Sequence, residues 1–239
     1  KAVQYTHHRL LNVSKMYTDR IGISDDVIYF NDRPMAYAAG VFFGTLFAYL
    51  GVTIVSLPPD MYVTHQGTYI KALIDVLHKE NVTFGYFALY HLHGFARCPT
   101  IMKDKLERLE YILTGGQLVP QKLLANVSKM LPKASILQIY GATEAPVSCH
   151  APNDATQPGY LKSSGRPLGH TEIKIVNDKG ETVPCNQLGE IFIRGCQTFS
   201  GYYGNEAASR EVCTQDRWVH LGDMGSMTKD GYLTVIGRT

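Results

Sequence analysis

Residues 110–144 constrain the fold most, because they run from a strand pattern through a helix to a second strand. Residues 110–113 (EYIL) have the apolar content of a short strand, and residues 135–140 (SILQIY) have that of a buried strand. Between them, Pro120 suits the first position of a helix over residues 121–131. This order predicts a βαβ unit with parallel strands and a right-handed connection.

Each of these two strands ends in small or polar residues. They are Thr114, Gly115 and Gly116 after the first strand, and Gly141, Ala142, Thr143 and Glu144 after the second. Because ligands bind beyond the carboxyl ends of strands in open α/β sheets, both loops are expected at one ligand-binding edge. An ordinary turn after a core strand explains either loop taken alone. Their coincidence at one edge favours a binding site.

The residue types in the two loops suit a nucleotide with its magnesium ion. The Gly115-Gly116 pair allows the backbone to approach a flat ligand closely. In the stretch QIYGATE, Tyr140 offers a flat ring, Thr143 a hydroxyl for a phosphate, and Glu144 a carboxylate for Mg²⁺.

The sequence pattern changes at about residue 151, where proline and glycine become frequent and long helices disappear. Four short strand-like runs follow, at residues 171–176, 190–194, 218–221 and 232–236. The sequence therefore predicts an α/β protein of two parts. Residues 1–157 form a parallel-sheet subdomain with flanking helices that binds nucleotide and acid, and residues 158–239 form a smaller distorted β-barrel subdomain.

Two polar residues end strand patterns in this smaller part. Asp223 lies in the sequence HLGD, and Arg238 lies in the terminal GRT. A carboxylate can accept hydrogen bonds from both hydroxyls of a ribose, and a guanidinium can bond the same sugar or a phosphate. Gly-Asp and Gly-Arg are also common in turns, so each residue alone is a weak indication.

Residues 35–57 are the most apolar part of the chain and are long enough to suggest a membrane span. Gly51 divides them into a predicted helix, residues 35–50, and a β-branched strand, residues 52–57, which Pro58 ends. This division favours a helix packed on a sheet, and no transmembrane segment is expected.

Further along the chain, residues 103–110 are predicted to form a charged, exposed helical segment.

Charge and cysteine spacing argue against several classes of protein. The net charge of +2, without a basic block, gives no reason to expect a nucleic-acid partner. The five cysteines are scattered without a C-x-x-C pair, so reduced thiols are expected in place of a zinc site or disulfide framework.

We expect an intracellular protein. Its compartment and its oligomeric state stay open.

Eight motifs in order give the chain a family resemblance. They are KAVQYTH from Lys1, TGGQLVP from Thr114, YGATE from Tyr140, GRPL from Gly165, GEIFIRG from Gly189, GYYG from Gly201, WVHLGDMG from Trp218 and DGYLTVIGRT from Asp230. Their order and spacing resemble the adenylate-forming superfamily of acyl- and aryl-CoA synthetases, peptide-synthetase adenylation domains and firefly-type luciferases. The similarity is greatest to acyl-CoA synthetases.

The resemblance implies an ATP-dependent ligase that works in two steps. A carboxylic acid attacks the α-phosphorus of ATP to give an acyl-adenylate and pyrophosphate, and coenzyme A then captures the acyl group. The resemblance assigns Thr143 to the phosphate and Glu144 to Mg²⁺ as the catalytic pair, and the ribose hydroxyls to Asp223 and Arg238. The nucleotide-binding set it implies is Gly115, Gly116, Gln138, Tyr140, Gly141, Thr143, Asp223 and Arg238.

A fatty acid is the expected substrate, since GEIFIRG and GYYG resemble fatty- or aromatic-acid ligases. Gly141 and Ala142 are expected to contact it. Asn31, Asp32 and Arg33 stand where the family has a His-His-Gly-Phe stretch near the acyl channel, and they are expected to line that channel. The sequence HLHGF, residues 91–95, resembles that stretch but comes too late in the chain. Its histidines are therefore expected to have structural roles or to lie on the surface.

The chain also departs from the family pattern. Lys1 resembles the lysine that ends the family's phosphate loop, with Ala2 where glycine is usual, and the closing GRT resembles the sequence before the hinge. We therefore expect the phosphate loop and the small C-terminal domain to lie outside this chain, which alone should lack appreciable adenylation activity. An adenylation domain for another thiol acceptor, a luciferase-like enzyme and a non-catalytic nucleotide-binding or scaffold protein stay open as alternatives.

Overall fold

The structure is a computed structural model that describes residues 1–31, 33, 37–57, 66–157 and 159–238. Its helices are α1 (His7–Ile21), α2 (Ala38–Leu50), α3 (Gln66–Lys79), α4 (Leu89–Ala96), α5 (Pro99–Lys105), α6 (Gln121–Met130) and α7 (Glu206–Val212). Its strands are β1 (Ile28–Asn31), β2 (Thr53–Val55), β3 (Phe84–Tyr86), β4 (Tyr111–Gly115), β5 (Ser135–Gly141), β6 (Pro146–Cys149), β7 (Arg166–Pro167), β8 (Glu172–Val176), β9 (Gly189–Arg194), β10 (Val219–Met227) and β11 (Leu233–Arg238).

The larger sheet has the strand order β2-β1-β3-β4-β5-β6-β7. Its first five strands are parallel, and β6 and β7 pair antiparallel beside them. β4 and β5 are direct parallel neighbours, with Thr114 opposite Gln138, and α6 connects them. The predicted βαβ unit and the α/β class are therefore confirmed.

Both faces of this sheet are buried, because neighbouring residues of each central strand face opposite layers of helices. Ile112 of β4 and Ile136 of β5 pack with α3, α4 and α6, whereas Leu113 and Leu137 pack with α1 and α2. Strands covered on both faces need apolar residues at successive positions, which is why β4 and β5 show no polar alternation.

The apolar stretch after β1 forms a helix on this sheet. Residues 38–50 form α2, and Gly51, in the left-handed conformation with φ 70°, ends the helix before β2. The ring of Phe47 stacks on Tyr29 of β1 with a centroid distance of 3.7 Å. Within the described part of the chain, no helix is long and apolar enough to span a bilayer.

The second sheet is antiparallel and has the order β11-β10-β9-β8. Its apolar face, which includes Ile191 and Leu233, packs against Val147 of β6, so the two sheets share a core. This confirms a separate, smaller β part in the fold. The predicted boundary at residue 158 stays a prediction, since Pro158 lies outside the described residues.

The helix predicted over residues 103–110 is correct for residues 103–105, the end of α5, and wrong for residues 106–110. α5 ends at Lys105, and a turn leads from there to β4. Leu106 and Leu109 are only 3% and 1% exposed, so burial of two leucines outweighs the charge pairs that the pattern suggested. Lys105 instead forms an ion pair with Asp75 of α3.

The histidines of HLHGF have the structural and surface positions expected from the sequence. His91 is buried, its Nδ1 accepts a hydrogen bond from the Ala88 backbone N–H at 3.1 Å, and its Nε2 lies 3.0 Å from the Tyr69 hydroxyl. His93 is exposed. All five cysteines are free thiols.

Candidate functional site

Two cavities open at the carboxyl ends of β4 and β5. The α6-side cavity, about 270 Å³, is lined in part by Gly115, Gln121, Gln138, Ser163 and Ile236. The α2-side cavity, about 260 Å³, is lined in part by Phe42, Gly116, Gly141, Thr143, Glu144 and Arg238. The end of β4 therefore borders both cavities, whereas the loop after β5 borders only the α2-side cavity, and β11 completes each of them.

The two glycines at the end of β4 are required by the chain's own packing. A Cβ on Gly115 would lie 2.4 Å from the Ile139 carbonyl oxygen of β5, and Gly116 has a φ of 79°. Close approach between two backbones and a left-handed conformation both favour glycine. Close approach to a ligand, the reason inferred from sequence, stays a prediction for this pair.

Asp223 links the end of β5 to the smaller sheet. Its Oδ2 accepts a hydrogen bond of 2.7 Å from the Tyr140 hydroxyl, and its Oδ1 accepts one of 3.0 Å from Nε of Arg238. Asp223 is 6% exposed and lies behind Arg238, whose side chain lines the α2-side cavity. Burial, reinforced by the Asp223 charge, raises the pKa of Tyr140, so its phenol stays a hydrogen-bond donor at neutral pH.

The turn at Thr143 is held by Arg9 of α1 and by Tyr5, which precedes that helix. The Thr143 carbonyl accepts hydrogen bonds from Nη2 of Arg9 at 2.7 Å and from the Tyr5 hydroxyl at 3.1 Å. Arg9 is 3% exposed and also donates from Nε to the Gln197 carbonyl at 2.7 Å. Burial lowers the pKa of Arg9 to about 10, which leaves it charged at neutral pH.

The Glu144 carboxylate is half-buried at the edge of the α2-side cavity. The Tyr202 hydroxyl donates to its Oε1 at 2.6 Å, and the Glu144 backbone carbonyl accepts from the Phe199 N–H at 2.8 Å. No cluster of three or more His, Cys, Asp or Glu side chains that could hold a metal exists among the described residues. A single accessible carboxylate nevertheless fits Mg²⁺, which is usually held by one or two carboxylates together with substrate phosphates and water.

Gln138, a predicted nucleotide contact, has a structural role on one side of its amide. Its Nε2 donates to the carbonyls of Leu161 and Ser163, each at 2.8 Å, and so holds the short 3₁₀ turn at Tyr160–Lys162. Gln138 also lines the α6-side cavity. A nucleotide contact for it stays a prediction.

Two of the three residues predicted along the acyl channel, Asn31 and Arg33, are described by the structure, and neither lines the α2-side or the α6-side cavity. Asn31 is buried, and its Oδ1 accepts from the Arg33 backbone N–H at 3.0 Å. The Arg33 guanidinium lies over the rings of Tyr86 and Tyr90. Asp32 lies outside the described residues. Arg33 thus lies against Tyr86, which lines the α2-side cavity, and a role for Arg33 in the acyl channel stays a prediction.

Sequence reasoning found the strand-end residues and missed those that hold or enclose them. The structure brings Gly116, Gly141, Ala142, Thr143, Glu144 and Arg238 together around the α2-side cavity, and their ligand contacts stay predictions. No role was assigned to Tyr5, Arg9 or Tyr202, although Tyr5 and Tyr202 lie inside the motifs KAVQYTH and GYYG. The aromatic wall of this cavity was missed as well, and it consists of Tyr17, Tyr37, Phe42, Phe43 and Tyr86.

Beneath the site, His150 should make the folded state sensitive to acid. It is fully buried, its Nδ1 accepts from the Gln138 N–H at 3.2 Å, and its Nε2 lies 3.0 Å from the Ser163 hydroxyl. Burial lowers the pKa of His150 from 6.5 to about 4. The unfolded chain therefore takes up the proton first as the pH falls, and stability is lost from about pH 6.5 downward.

We expect the free energy of unfolding to fall by about 2 kcal/mol between pH 7 and pH 5 through this residue. Urea denaturation of the full-length protein at the two pH values measures the change. His150→Gln should remove most of this decrease in the free energy of unfolding, while the other groups titrate as before. An equal decrease in the variant would show that His150 is not its source.

Comparisons with known proteins find sequence similarity over most of the chain. A protein-family model described as AMP-binding enzyme matches residues 1–203. The chain is 33% identical over 173 residues to the 4-coumarate–CoA ligase CCL1 of Humulus lupulus, covering 71% of this chain and 32% of that protein. It is 27% identical over 257 residues to the mitochondrial medium-chain acyl-CoA ligase ACSF2 of Rattus norvegicus, covering 100% of this chain and 39% of that protein.

A solved structure has the same fold. The amide bond synthetase McbA from Marinactinospora thermotolerans superposes with a TM-score of 0.86 at 23% identity, over 99% of this chain and 46% of that chain. This chain thus spans 32% and 39% of the lengths of the two curated relatives and about half of the solved structure.

Proposed function

Because this chain belongs to the AMP-binding enzyme family, we propose that it binds ATP and a carboxylic acid in an ATP-dependent acid–CoA ligase. Membership of the family confirms the resemblance carried by the eight motifs. Formation of an acyl-adenylate and its transfer to coenzyme A are the activity proposed for the whole protein. The names of the relatives, several of which are CoA ligases, support this proposal.

One observation carries the proposal: the two acids assigned to the sugar and the metal meet at one strand end. Asp223 accepts a hydrogen bond from Tyr140 of β5, and Glu144 follows the same strand four residues later. Arg238 joins them, since it bonds Asp223 and lines the cavity that Glu144 borders. A nucleotide held by its ribose at Asp223 could thus direct its phosphates toward Glu144.

The chemistry then needs stabilisation of charge that moves onto the departing pyrophosphate. The Thr143 hydroxyl is the proposed donor to the phosphate, and Glu144 the residue that holds Mg²⁺. When bound, Mg²⁺ supplies positive charge to the phosphate oxygens. Donors and charges fixed before the reaction are effective because they need not reorganise as charge develops. The bonds that hold the Thr143 turn, from Arg9 and Tyr5, supply that rigidity.

The size and lining of the α2-side cavity favour a compact aromatic acid. Its volume is about 260 Å³, just below the usual range for sites that enclose drug-sized ligands. Tyr17, Phe43 and Tyr86 close it with buried rings, and Phe43 contacts each of the other two. Such rings favour edge-to-face contact with a flat aromatic group. A fatty acid, the substrate expected from sequence, is the second candidate, and the medium-chain acyl-CoA ligase relative favours it.

Pyrophosphate release by the full-length protein tests the function and the acid class together. The acids should be a phenylpropenoic acid, octanoate and hexadecanoate, each with and without coenzyme A. We expect kcat/KM to be at least about tenfold higher for the aromatic acid than for hexadecanoate, because the long chain of hexadecanoate exceeds a cavity of about 260 Å³. One methylene too many or too few in an apolar pocket already changes kcat/KM by about 10- to 200-fold.

Three other outcomes have distinct meanings. A preference for hexadecanoate would contradict the compact aromatic acid but keep the ligase. Pyrophosphate release without thioester formation would indicate another acceptor than coenzyme A. ATP binding without any pyrophosphate release would support the non-catalytic alternative.

A further inference from the structure

The Glu144 carboxylate receives a hydrogen bond from a distant part of the chain. Tyr202 lies 58 residues later and donates its hydroxyl proton to Oε1 at 2.6 Å. An O–H···O⁻ bond of this length is a strong, charge-assisted one. Since a carboxylate has two oxygens, the bond fixes the rotation of the group and leaves Oε2 for a cation.

Tyr202 is itself held rigidly. Its ring is buried in a small apolar cluster with Val219 and lies edge-on to Phe199, with a centroid distance of 4.9 Å. Its backbone N–H donates to Oγ of Ser209 at 2.8 Å. A donor supported on packed elements can hold its acceptor within a narrow range of orientation.

The donor is also neutral, which matters beside other charges. Arg9 and Arg238 already act electrostatically on Glu144, and the Lys1 ammonium lies 4.8 Å from the centre of the Tyr202 ring. A tyrosine phenol is neutral at pH 7, since its ordinary pKa is about 10. A neutral phenol orients the carboxylate without cancelling the negative charge that a cation needs.

We propose that Tyr202 is a positioning residue that acts through Glu144 and aims its free oxygen at Mg²⁺ on the phosphates of ATP. The inference rests on the proposed function. Groups that hydrogen-bond a metal ligand typically contribute 10- to 100-fold to metal affinity or activity.

The test is Tyr202→Phe in the full-length protein, because phenylalanine keeps the ring and loses only the hydroxyl. Binding of ATP is measured by calorimetry with Mg²⁺ and with EDTA, and binding of Mn²⁺–ATP by electron paramagnetic resonance. We expect a loss of about tenfold in Mn²⁺–ATP affinity and no change in ATP affinity in EDTA. Tyr203→Phe is the matched control and should change neither, since Tyr203 is 70% exposed.

A double variant separates positioning from a general loss of structure. If Tyr202 acts through Glu144, Tyr202→Phe combined with Glu144→Gln should bind Mn²⁺–ATP no more weakly than Glu144→Gln alone. The inference would be overturned if Tyr202→Phe lowered ATP affinity equally with and without metal. It would also be overturned if the variant bound Mn²⁺–ATP as tightly as the unmodified protein.

The result for Glu144→Gln identifies which idea fails. If this variant weakens Mn²⁺–ATP binding and Tyr202→Phe does not, only the role of Tyr202 is wrong. If Glu144→Gln itself leaves Mn²⁺–ATP affinity unchanged, the metal assignment in the proposed function fails, and the inference about Tyr202 fails with it.

Discussion

Glu144→Gln is expected to slow adenylate formation by on the order of 10³-fold, because a metal ion on the phosphates contributes several kcal/mol to stabilising the transition state. Glutamine has nearly the same shape and can still accept the Tyr202 hydrogen bond, so the fold around the turn should survive. What is lost is the negative charge at the edge of the α2-side cavity. The rate is measured as pyrophosphate release in a single turnover with saturating ATP and Mg²⁺.

The control for this variant is Glu206→Gln. Glu206 is an exposed residue of α7, and it pairs with Arg210 one helical turn away. Glu206→Gln should leave the rate within about twofold of that of the unmodified protein, since surface ion pairs contribute little to stability. A Glu144→Gln rate within tenfold of the unmodified protein would remove Glu144 from the catalytic pair.

The central βαβ unit could be predicted because its signal is local. Ile112 and Leu113 in β4, like Ile136 and Leu137 in β5, are neighbours in sequence that face opposite layers. Continuous apolar runs of this length indicate strands covered on both sides. The residues that end those strands then had to lie at one sheet edge, which is where the cavities are found.

The support around the turn could not be predicted, because it depends on contacts between distant residues. Arg9 reaches the Thr143 carbonyl across 134 positions, and Tyr202 reaches Glu144 across 58. No periodicity encodes such a pair. The motif GYYG contained the second partner, but which of its two tyrosines turns inward depends on packing against Phe199.

The error at residues 106–110 has a physical cause. Charges spaced four apart suggested an exposed helix, but such pairs contribute only about 0.2–0.5 kcal/mol each. Burying a leucine contributes about 1.5–3 kcal/mol. Leu106 and Leu109 therefore determined the backbone there, and the chain turned into the core.

Asp223→Asn is the second substitution with a large expected effect, on the binding of the nucleotide. In the proposed function this carboxylate accepts two hydrogen bonds from the ribose, and bonds to a charged group contribute about 1.5–3 kcal/mol each. Both oxygens already accept one bond, from Tyr140 and Arg238, and a carboxylate has lone pairs for two more. Affinity for AMP should fall on the order of 10²- to 10³-fold, measured by calorimetry in EDTA.

Omitting the metal makes this experiment independent of Glu144, so it tests the sugar contact alone. Tyr140→Phe is the informative comparison, because it removes one bond to Asp223 and keeps the carboxylate charge. If the Asp223 charge binds the ribose, Tyr140→Phe should lower AMP affinity less than tenfold. Equal losses of AMP affinity in Asp223→Asn and Tyr140→Phe would instead mean that Asp223 only holds β5 against β10. Asp230→Asn, in the exposed turn before β11, should leave AMP affinity unchanged.

Since Asp223 lies behind Arg238, contact between Asp223 and the ribose also requires a change at the exposed Arg238 side chain. Arg238 must either move aside or bind the nucleotide together with Asp223.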